Sequence, residues 1–367
     1  MKQHRLHRAA CTTVLVAGLL GSAGTTATAA PRNDTATAGV AVHSVEESAA
    51  QVREHWTPQR RAAAIADPTP LLKARPSAAG TNGAKNAAPD KRVLASADAA
   101  RPTSKSRTTE GISPTAAADE ISVAQEVPYS TSFPNVIVGR LFFDTPDGKP
   151  HTCTASVIVS DNKRTLWTAG HCVHKGDGSG DAGWASNVEF VPGYKDGQEP
   201  WGRWYADKLI APESWTNDGD SKTADLAAIV LKSDATYGNL QDDVGGLGYV
   251  FGTETDHADV TTYGYPGDGY HRTDMTGERM MFCHGDTEDA VDWWPLDDRL
   301  KMDCDMGHGA SGGPMFTGAL SGNPQIVGAN SHFEADASTG ERLNDDLFSS
   351  QHDVLASNVI DKANSYS

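Results

Sequence analysis

From Pro128 onward the chain is written in short apolar and β-branched runs, covering 136–143, 153–159, 164–168, 203–210, 226–231, 259–265, 278–282, 315–317 and 325–329. Clusters of Gly, Asp, Asn and Pro separate them, such as Asp147-Gly148 and Asp177-Gly178-Ser179-Gly180. Runs of this length bounded by turn-formers predict strands. No regular helical period alternates with them, which weakens a parallel, doubly wound sheet. One clear helix is predicted at the end, near 352–363, where Leu355 and Val359 stand four apart and Asp353 suits the amino-terminal turn. Many strands and a closing helix, in about 240 residues, predict an all-β fold of two packed barrels.

Upstream of residue 127 the texture differs. A helical pattern runs over 48–65, and within it Thr57-Pro58 suits an N-cap followed by a first helical position. Over 68–114 Ala, Pro, Lys, Ser and Thr dominate, so little apolar surface is available to offset the entropy of ordering, and the stretch reads as a disordered linker. The chain opens on Lys2, Arg5 and Arg8, an apolar run over 13–20 and Ala27-Thr28-Ala29, the pattern of an export signal with its cleavage site. That apolar run is too short to span a bilayer stably, and Cys11 precedes it, which argues against a lipid-anchored cysteine. The reading is a signal peptide over 1–29, a propeptide or flexible leader over 30–126 removed between Arg101 and Val127, and a main domain over 127–367. The product is expected to be secreted, extracellular, monomeric and free of membrane.

Charge sharpens the boundary. The net formal charge is +4 over 1–126 and −21 over 127–367. An acidic domain is repelled by nucleic acid and by anionic lipid, so neither is an expected partner. Beyond the leader four cysteines remain, Cys153, Cys172, Cys283 and Cys304, an even number that predicts two disulfides with three pairings open. The sequential pairing closes two short loops, each contributing roughly 3 kcal/mol in the chain-entropy picture. No Cys or His spacing resembles a zinc site, and the acidic residues Asp177, Asp181 and the run over 286–298 lack EF-hand spacing, so no metal is expected.

Three short stretches carry candidate chemistry. In Gly309-Ala310-Ser311-Gly312-Gly313-Pro314 a serine stands among glycines, which let backbone approach backbone and can aim the amides of Gly309 and Ser311 at one point. A developing oxyanion could be held there, although a chain with 36 glycines holds many ordinary Gly/Ser loops. Leu166-Trp167-Thr168-Ala169-Gly170-His171-Cys172 ends a predicted strand on a histidine beside a cysteine, a pinned position suited to a general base. His174, three residues later, is taken as an ordinary loop histidine. Asp225 opens the wholly apolar run over 226–231, where a carboxylate needs a partner to be tolerated and an imidazole N–H would supply one.

These stretches, TAGHC over 168–172, DLAAIVL over 225–231 and GASGGP over 309–314, resemble the signatures of trypsin-like serine proteases, and their order His, Asp, Ser matches that family. The resemblance implies an all-β, chymotrypsin-like double β-barrel with a C-terminal helix over roughly 130–360, behind the signal peptide and a largely disordered propeptide. It implies a secreted serine endopeptidase with no cofactor, acting on protein or peptide substrates. His171 is then the general base, Asp225 its orienting acid, Ser311 the nucleophile, and the amides of Gly309 and Ser311 the oxyanion hole. Tyr263-Gly264-Tyr265-Pro266-Gly267-Asp268, Pro212-Glu213-Ser214-Trp215 and Cys304-Asp305 look like the bacterial branch that includes the glutamyl endopeptidase-like enzymes. Trp56-Thr57-Pro58 with Arg60-Arg61 is similar to propeptides of secreted bacterial relatives.

The chain departs from the digestive enzymes at Ala310, where they carry the Asp that pairs with a freshly cut amino terminus. A leader that inhibits must therefore act sterically or through another contact. Ser331 matches the family's serine beside the triad carboxylate, and His308, Asn330 and His332 are the other expected substrate contacts. Asn330 stands where glutamyl-specific relatives place a histidine. Asp305 has the offset of the carboxylate that selects Arg or Lys, but Cys304 breaks the usual spacing, so residue preference stays open. Two alternatives are retained. Gly309 to Gly313 also satisfies the G-x-S-x-G of an esterase or lipase, and a non-catalytic, protease-like binding protein would keep the fold without the chemistry.

Overall fold

A computed structural model describes residues 39–68, 72–73, 93–103, 120–233, 238–290, 299–336 and 338–366. The expected signal peptide lies outside the described residues, as does most of the expected linker.

Strands Val138–Asp144, Pro150–Ile158, Thr165–Thr168, Ser186–Pro192, Trp204–Pro212 and Ala227–Leu231 form the first barrel. It closes because Trp204–Pro212 pairs with Ala227–Leu231 on one side and with Ser186–Pro192 on the other. Every residue of Val138–Asp144 is buried, which alternation alone does not produce: outward side chains are covered by other parts of the chain. Phe142, for example, meets the Trp56 ring at 5.6 Å. Arg140, in the middle of that strand, donates to Thr152 Oγ1 at 2.7 Å and lies within 6 Å of the rings of Phe142, Tyr194 and Tyr265. Burial pushes its pKa down to about 10, so it stays cationic at neutral pH, held by the negative ring faces.

The second half is an eleven-stranded sheet running through His332–Phe333, Asp346–Ser349, Leu300–Asp303, Met281–Asp289, His257–Gly264, Pro314–Thr317, Gln325–Ala329 and Gly248–Phe251. The all-β double-barrel expectation holds, with register differences. The strand expected at 278–282 is Met281–Asp289, whose acidic second half is held by its ladder to His257–Gly264. Both disulfides join sequential cysteines, Cys153 to Cys172 and Cys283 to Cys304. The closing helix is Val354–Asn364, capped by Asp353, whose side chain accepts from the Leu355 amide at 3.1 Å. It buries Ala356, Val359, Ile360 and Ala363, and packs on Ala227–Leu231 and Trp204–Pro212.

The described parts of the leader are built onto this frame. Val40–Ser44 pairs antiparallel with Trp204–Pro212, and Ala95–Ala97 with Gly248–Phe251. The helical pattern resolves into two helices, Ala49–His55 and Pro58–Ala66, divided at Trp56-Thr57. Thr57 Oγ1 accepts from the Arg60 amide at 3.2 Å, and Pro58 takes the first helical position, where its missing N–H costs nothing. Trp56 is buried and donates from its indole to the Asn187 carbonyl at 2.6 Å. Arg61 is clamped between Glu189 and Glu199, while Arg203 Nε reaches Glu189 at 2.6 Å. Burial raises the Glu189 pKa, against the pull of both arginines. Removing one cation from a buried carboxylate costs about 3–5 kcal/mol. Arg61→Met is therefore expected to lower the urea midpoint of the uncleaved chain by a shift near the low end, since Arg203 remains. An unchanged midpoint would show that the clamp is decorative.

Candidate active site

The ladder between Ala227–Leu231 and Thr165–Thr168 sets the first two candidate groups side by side. Thr165–Thr168 runs into a short turn, Gly170–Cys172, that carries His171, and the disulfide ties Cys172 back to Cys153 on the adjoining strand. Asp225 stands just before the partner strand, fully buried. It receives the His171 backbone amide at 2.8 Å on Oδ1 and His171 Nδ1 at 2.9 Å on Oδ2. Ser331 Oγ donates to the same Oδ2 at 2.5 Å. Burial acts to raise the Asp225 pKa; the His171 charge and these donors outweigh it and hold the carboxyl below its usual range.

Ser311 sits in a loop bolted on every side. Its carbonyl accepts from the Thr154 amide at 2.7 Å, and Thr154 Oγ1 donates to the Gly309 carbonyl at 2.9 Å. Asn330 and the loop exchange backbone bonds, Gly312 to the Asn330 carbonyl at 2.7 Å and Asn330 to the Gly313 carbonyl at 2.8 Å. A Cβ on Gly312, whose φ is +78°, would stand 2.0 Å from Thr168 Oγ1, and one on Gly313 1.9 Å from the Tyr263 carbonyl. These glycines are required by close approach, and they bring the serine against the segment leading to His171. Two side-chain atoms are left buried and unbonded here, His171 Nε2 and Ser311 Oγ. Among the described residues the amides of Gly309 and Ser311 donate to no carbonyl or side chain. The arrangement holds an oriented imidazole, a hydroxyl and two idle N–H donors.

The other expected contacts divide. Asn330 turns inward, donating its amide NH₂ to the Tyr263 and Ala310 carbonyls at 3.1 and 3.2 Å and accepting from Thr262 Oγ1 on Oδ1. His332 is buried and stacked on Phe348. His308 remains at the rim, Nδ1 on Asp268 at 2.6 Å. Asp305 is consumed internally, accepting from the Ala124 amide at 2.8 Å and from Arg272 at 3.1 Å, so it fits the role of a turn residue beside the disulfide. His174 uses both ring nitrogens locally, on Gly176 N and the Gly180 carbonyl.

Ser311 is nevertheless fully covered, and the leader crosses its loop. Pro68 Cβ lies 3.4 Å from where a Cβ of Gly309 would stand, and Pro68 Cγ 3.1 Å from that of Gly267. The preceding Asp67 carbonyl bonds His151 Nδ1 at 2.9 Å and borders a 720 Å³ cleft that also holds His171. Farther on, Leu72–Lys73 pairs in parallel with His332–Phe333. Sequence reasoning missed Thr154 and the Asp67-Pro68 crossing. Thr154 carried a usable signal, its place beside Cys153; a Pro in an Ala/Pro-rich stretch carried none.

Comparison with solved structures finds protease Anisep from Arthrobacter nicotinovorans at 27% identity and TM-score 0.54, over 62% of this chain and 95% of that one. The thermostable serine protease AL20 from an extremophilic microorganism matches at 26% and 0.53, over 63% and 98%. The chain has the fold of the chymotrypsin-like serine proteases.

No family model matches the chain. Among curated proteins, an extracellular metalloprotease of Bacillus subtilis (strain 168) is 31% identical over 121 residues, 33% of this chain. The chain matches only about a third of that relative's length, 34%. That name raises the question of a metal, and the side chains answer it chemically. Of the clusters among the described residues with ligand-type atoms in reach, one is Cys153, His171 and Cys172, whose sulfurs are joined to each other and whose imidazole Nδ1 is held by Asp225. The other, Asp303, Asp345 and Asp346, is a surface group of carboxylates with no histidine. Neither is a catalytic zinc site. The esterase reading also loses support, because Ser311 leads into the strand Pro314–Thr317 where that fold needs a helix. His352 accepts from the Trp167 indole at 2.9 Å and is pushed by burial to a pKa of about 4, a neutral core residue.

Proposed function

We propose that this protease-fold chain is an exported serine endopeptidase that cuts protein or peptide substrates through an acyl-enzyme. The observation that carries the reading is the pairing of His171 Nδ1 to buried Asp225, with His171 Nε2 and Ser311 Oγ both unbonded. His171 Nε2 takes the Ser311 proton as Oγ bonds to the substrate carbonyl carbon. The carbonyl oxygen becomes an oxyanion received by the Gly309 and Ser311 amides. The C–N bond then breaks, His171 hands the proton to the departing amine, and water activated by the same imidazole releases the acid. Asp225 fixes the tautomer and stabilises the imidazolium. His308 is the rim residue placed to touch substrate.

A fluorophosphonate probe tests the chemistry directly. It is expected to label the processed chain at Ser311, and Ser311→Ala is expected to abolish both labelling and peptide cleavage. A processed chain that stays unlabelled would instead be the non-catalytic binding protein.

We propose further that the leader from residue 30 to a cut between Arg101 and Ile121 acts as a propeptide behind the signal peptide 1–29, so that residues 121–126, expected from sequence to leave with it, stay with the protease domain. The cover over Ser311 supports this. The cut falls upstream of Ile121, because strand Ile121–Glu126 is laddered to Met281–Asp289 and its Ala124 amide satisfies buried Asp305.

A further inference from the structure

Beyond the three catalytic groups, a row of buried polar side chains runs from the Asp225 carboxylate to an arginine. Asp225 Oδ2 accepts from Ser331 Oγ at 2.5 Å, Ser331 Oγ meets His332 Nδ1 at 2.8 Å, and His332 Nε2 meets Arg299 Nη1 at 2.7 Å. Asp225, Ser331 and His332 are wholly buried, and Arg299 is 4% exposed. A guanidinium has donors and no acceptor. His332 Nε2 must therefore accept, which puts the imidazole proton on Nδ1. Nδ1–H then donates to Ser331 Oγ, and the one hydroxyl proton of Ser331 is left to point at Asp225. Each link fixes the next.

The surroundings hold the row in place. Arg299 Nη2 pairs with Glu334 at 3.3 Å, and its guanidinium lies 4.8 Å from the centre of the Phe348 ring. His332 stacks on the same ring at 5.2 Å with an interplanar angle of 6°. His332 and Phe348 are also backbone partners between strands His332–Phe333 and Asp346–Ser349. The imidazole is buried flat on the Phe348 ring, and the guanidinium sits over it.

We propose that Arg299 and His332 are positioning residues for the reaction, setting the direction of the Ser331 hydroxyl so that Asp225 keeps its third donor. The proposal rests on the assignment of Asp225 and His171 made above. Without Arg299, His332 is free to carry its proton on Nε2 and accept on Nδ1. The Ser331 hydroxyl can then turn toward His332, and Asp225 is held by His171 alone. A less restrained carboxylate orients the imidazole less well in the transition state, while substrate binding is untouched.

The test compares Arg299→Met and His332→Phe with Arg299→Lys, all as processed protein. The phenylalanine keeps the stack on Phe348, and the lysine keeps a cationic donor for His332 Nε2. Arg299→Met is expected to lose about tenfold in kcat with KM within about twofold, and His332→Phe less, because without the imidazole the Ser331 hydroxyl has Asp225 as its remaining side-chain acceptor. In Arg299→Met the acid limb of kcat/KM against pH is expected to move up by roughly half a unit, because Asp225 loses a donor and the site loses a nearby cation. Arg299→Lys is expected to restore most of the rate. Unchanged kcat and an unmoved acid limb in Arg299→Met would overturn the proposal. Should those variants fail to fold, ¹⁵N-histidine NMR of the unmutated protein decides: His332 must show a protonated Nδ1 and a bare Nε2, and the opposite tautomer overturns it. Ser311→Ala separates the two levels, since cleavage surviving that change refutes the triad reading itself.

Discussion

Asp225→Asn is expected to lower kcat by about four orders of magnitude while leaving the fold and KM nearly intact. The side chain is fully buried and ringed by donors, the His171 amide, His171 Nδ1 and Ser331 Oγ. An asparagine fills the same space, but one of its two ends is an NH₂. If the oxygen stays on the His171 amide, the NH₂ faces Nδ1 and forces it to accept. The imidazole proton then moves to Nε2, the atom that must take the Ser311 proton, and no base is left at neutral pH. The measurement is steady-state cleavage of a peptide library beside a thermal melt. A loss of less than tenfold in a folded variant would remove Asp225 from the mechanism.

The second large effect is expected from the leader. In the uncleaved chain Asp67-Pro68 lies across the serine loop and Leu72–Lys73 occupies the edge of His332–Phe333. The Gly309 and Ser311 amides have no partner among the described residues, so neither the Asp67 nor the Pro68 carbonyl sits in the oxyanion hole. Asp67 and Pro68 therefore cover the loop without presenting their own carbonyls for attack. A tethered blocker acts at an effective concentration near ~1 mM, so even ~1 μM intrinsic affinity suppresses activity about a thousandfold. Cutting upstream of Ile121 and removing the released piece is expected to raise activity by that factor. Cutting alone raises it less, because the leader's helices and strands keep it docked. Equal activity in the intact and leader-free chains would sink the propeptide reading.

The candidate motifs that the fold brings together were legible because each needs a distinctive local sequence. His171 is flanked by a disulfide cysteine, Asp225 opens an apolar strand, and Ser311 sits among glycines demanded by close backbone contact. The barrels were legible from the alternation of apolar runs and turn residues, and the closing helix from Leu355, Val359 and Asp353. What escaped was structure carried by backbone pairing. Val40–Ser44 and Ala95–Ala97 bury few large side chains, and their order comes from borrowing the edges of neighbouring strands, which residue type does not advertise. Ser186–Pro192, Leu300–Asp303 and Asp346–Ser349 were missed for the related reason that short or partly charged strands are specified by their partners. Arg299 escaped because nothing near it in sequence reveals that it will meet His332.

The two borrowed edges have a consequence for the protein once the leader is gone. Val40–Ser44 covers a five-residue length of Trp204–Pro212, and Ala95–Ala97 covers three residues of Gly248–Phe251. When both depart, two rows of unpaired N–H and C=O groups face solvent, the arrangement that invites sheets of different molecules to join. Lys208 and Asp207 sit on the first edge and offer some charge repulsion; Tyr249, Val250 and Phe251 on the second offer none. On the propeptide reading the leader would serve as a solubility cover as well as a lock, and matured protein is expected to associate at high concentration through the Gly248–Phe251 edge.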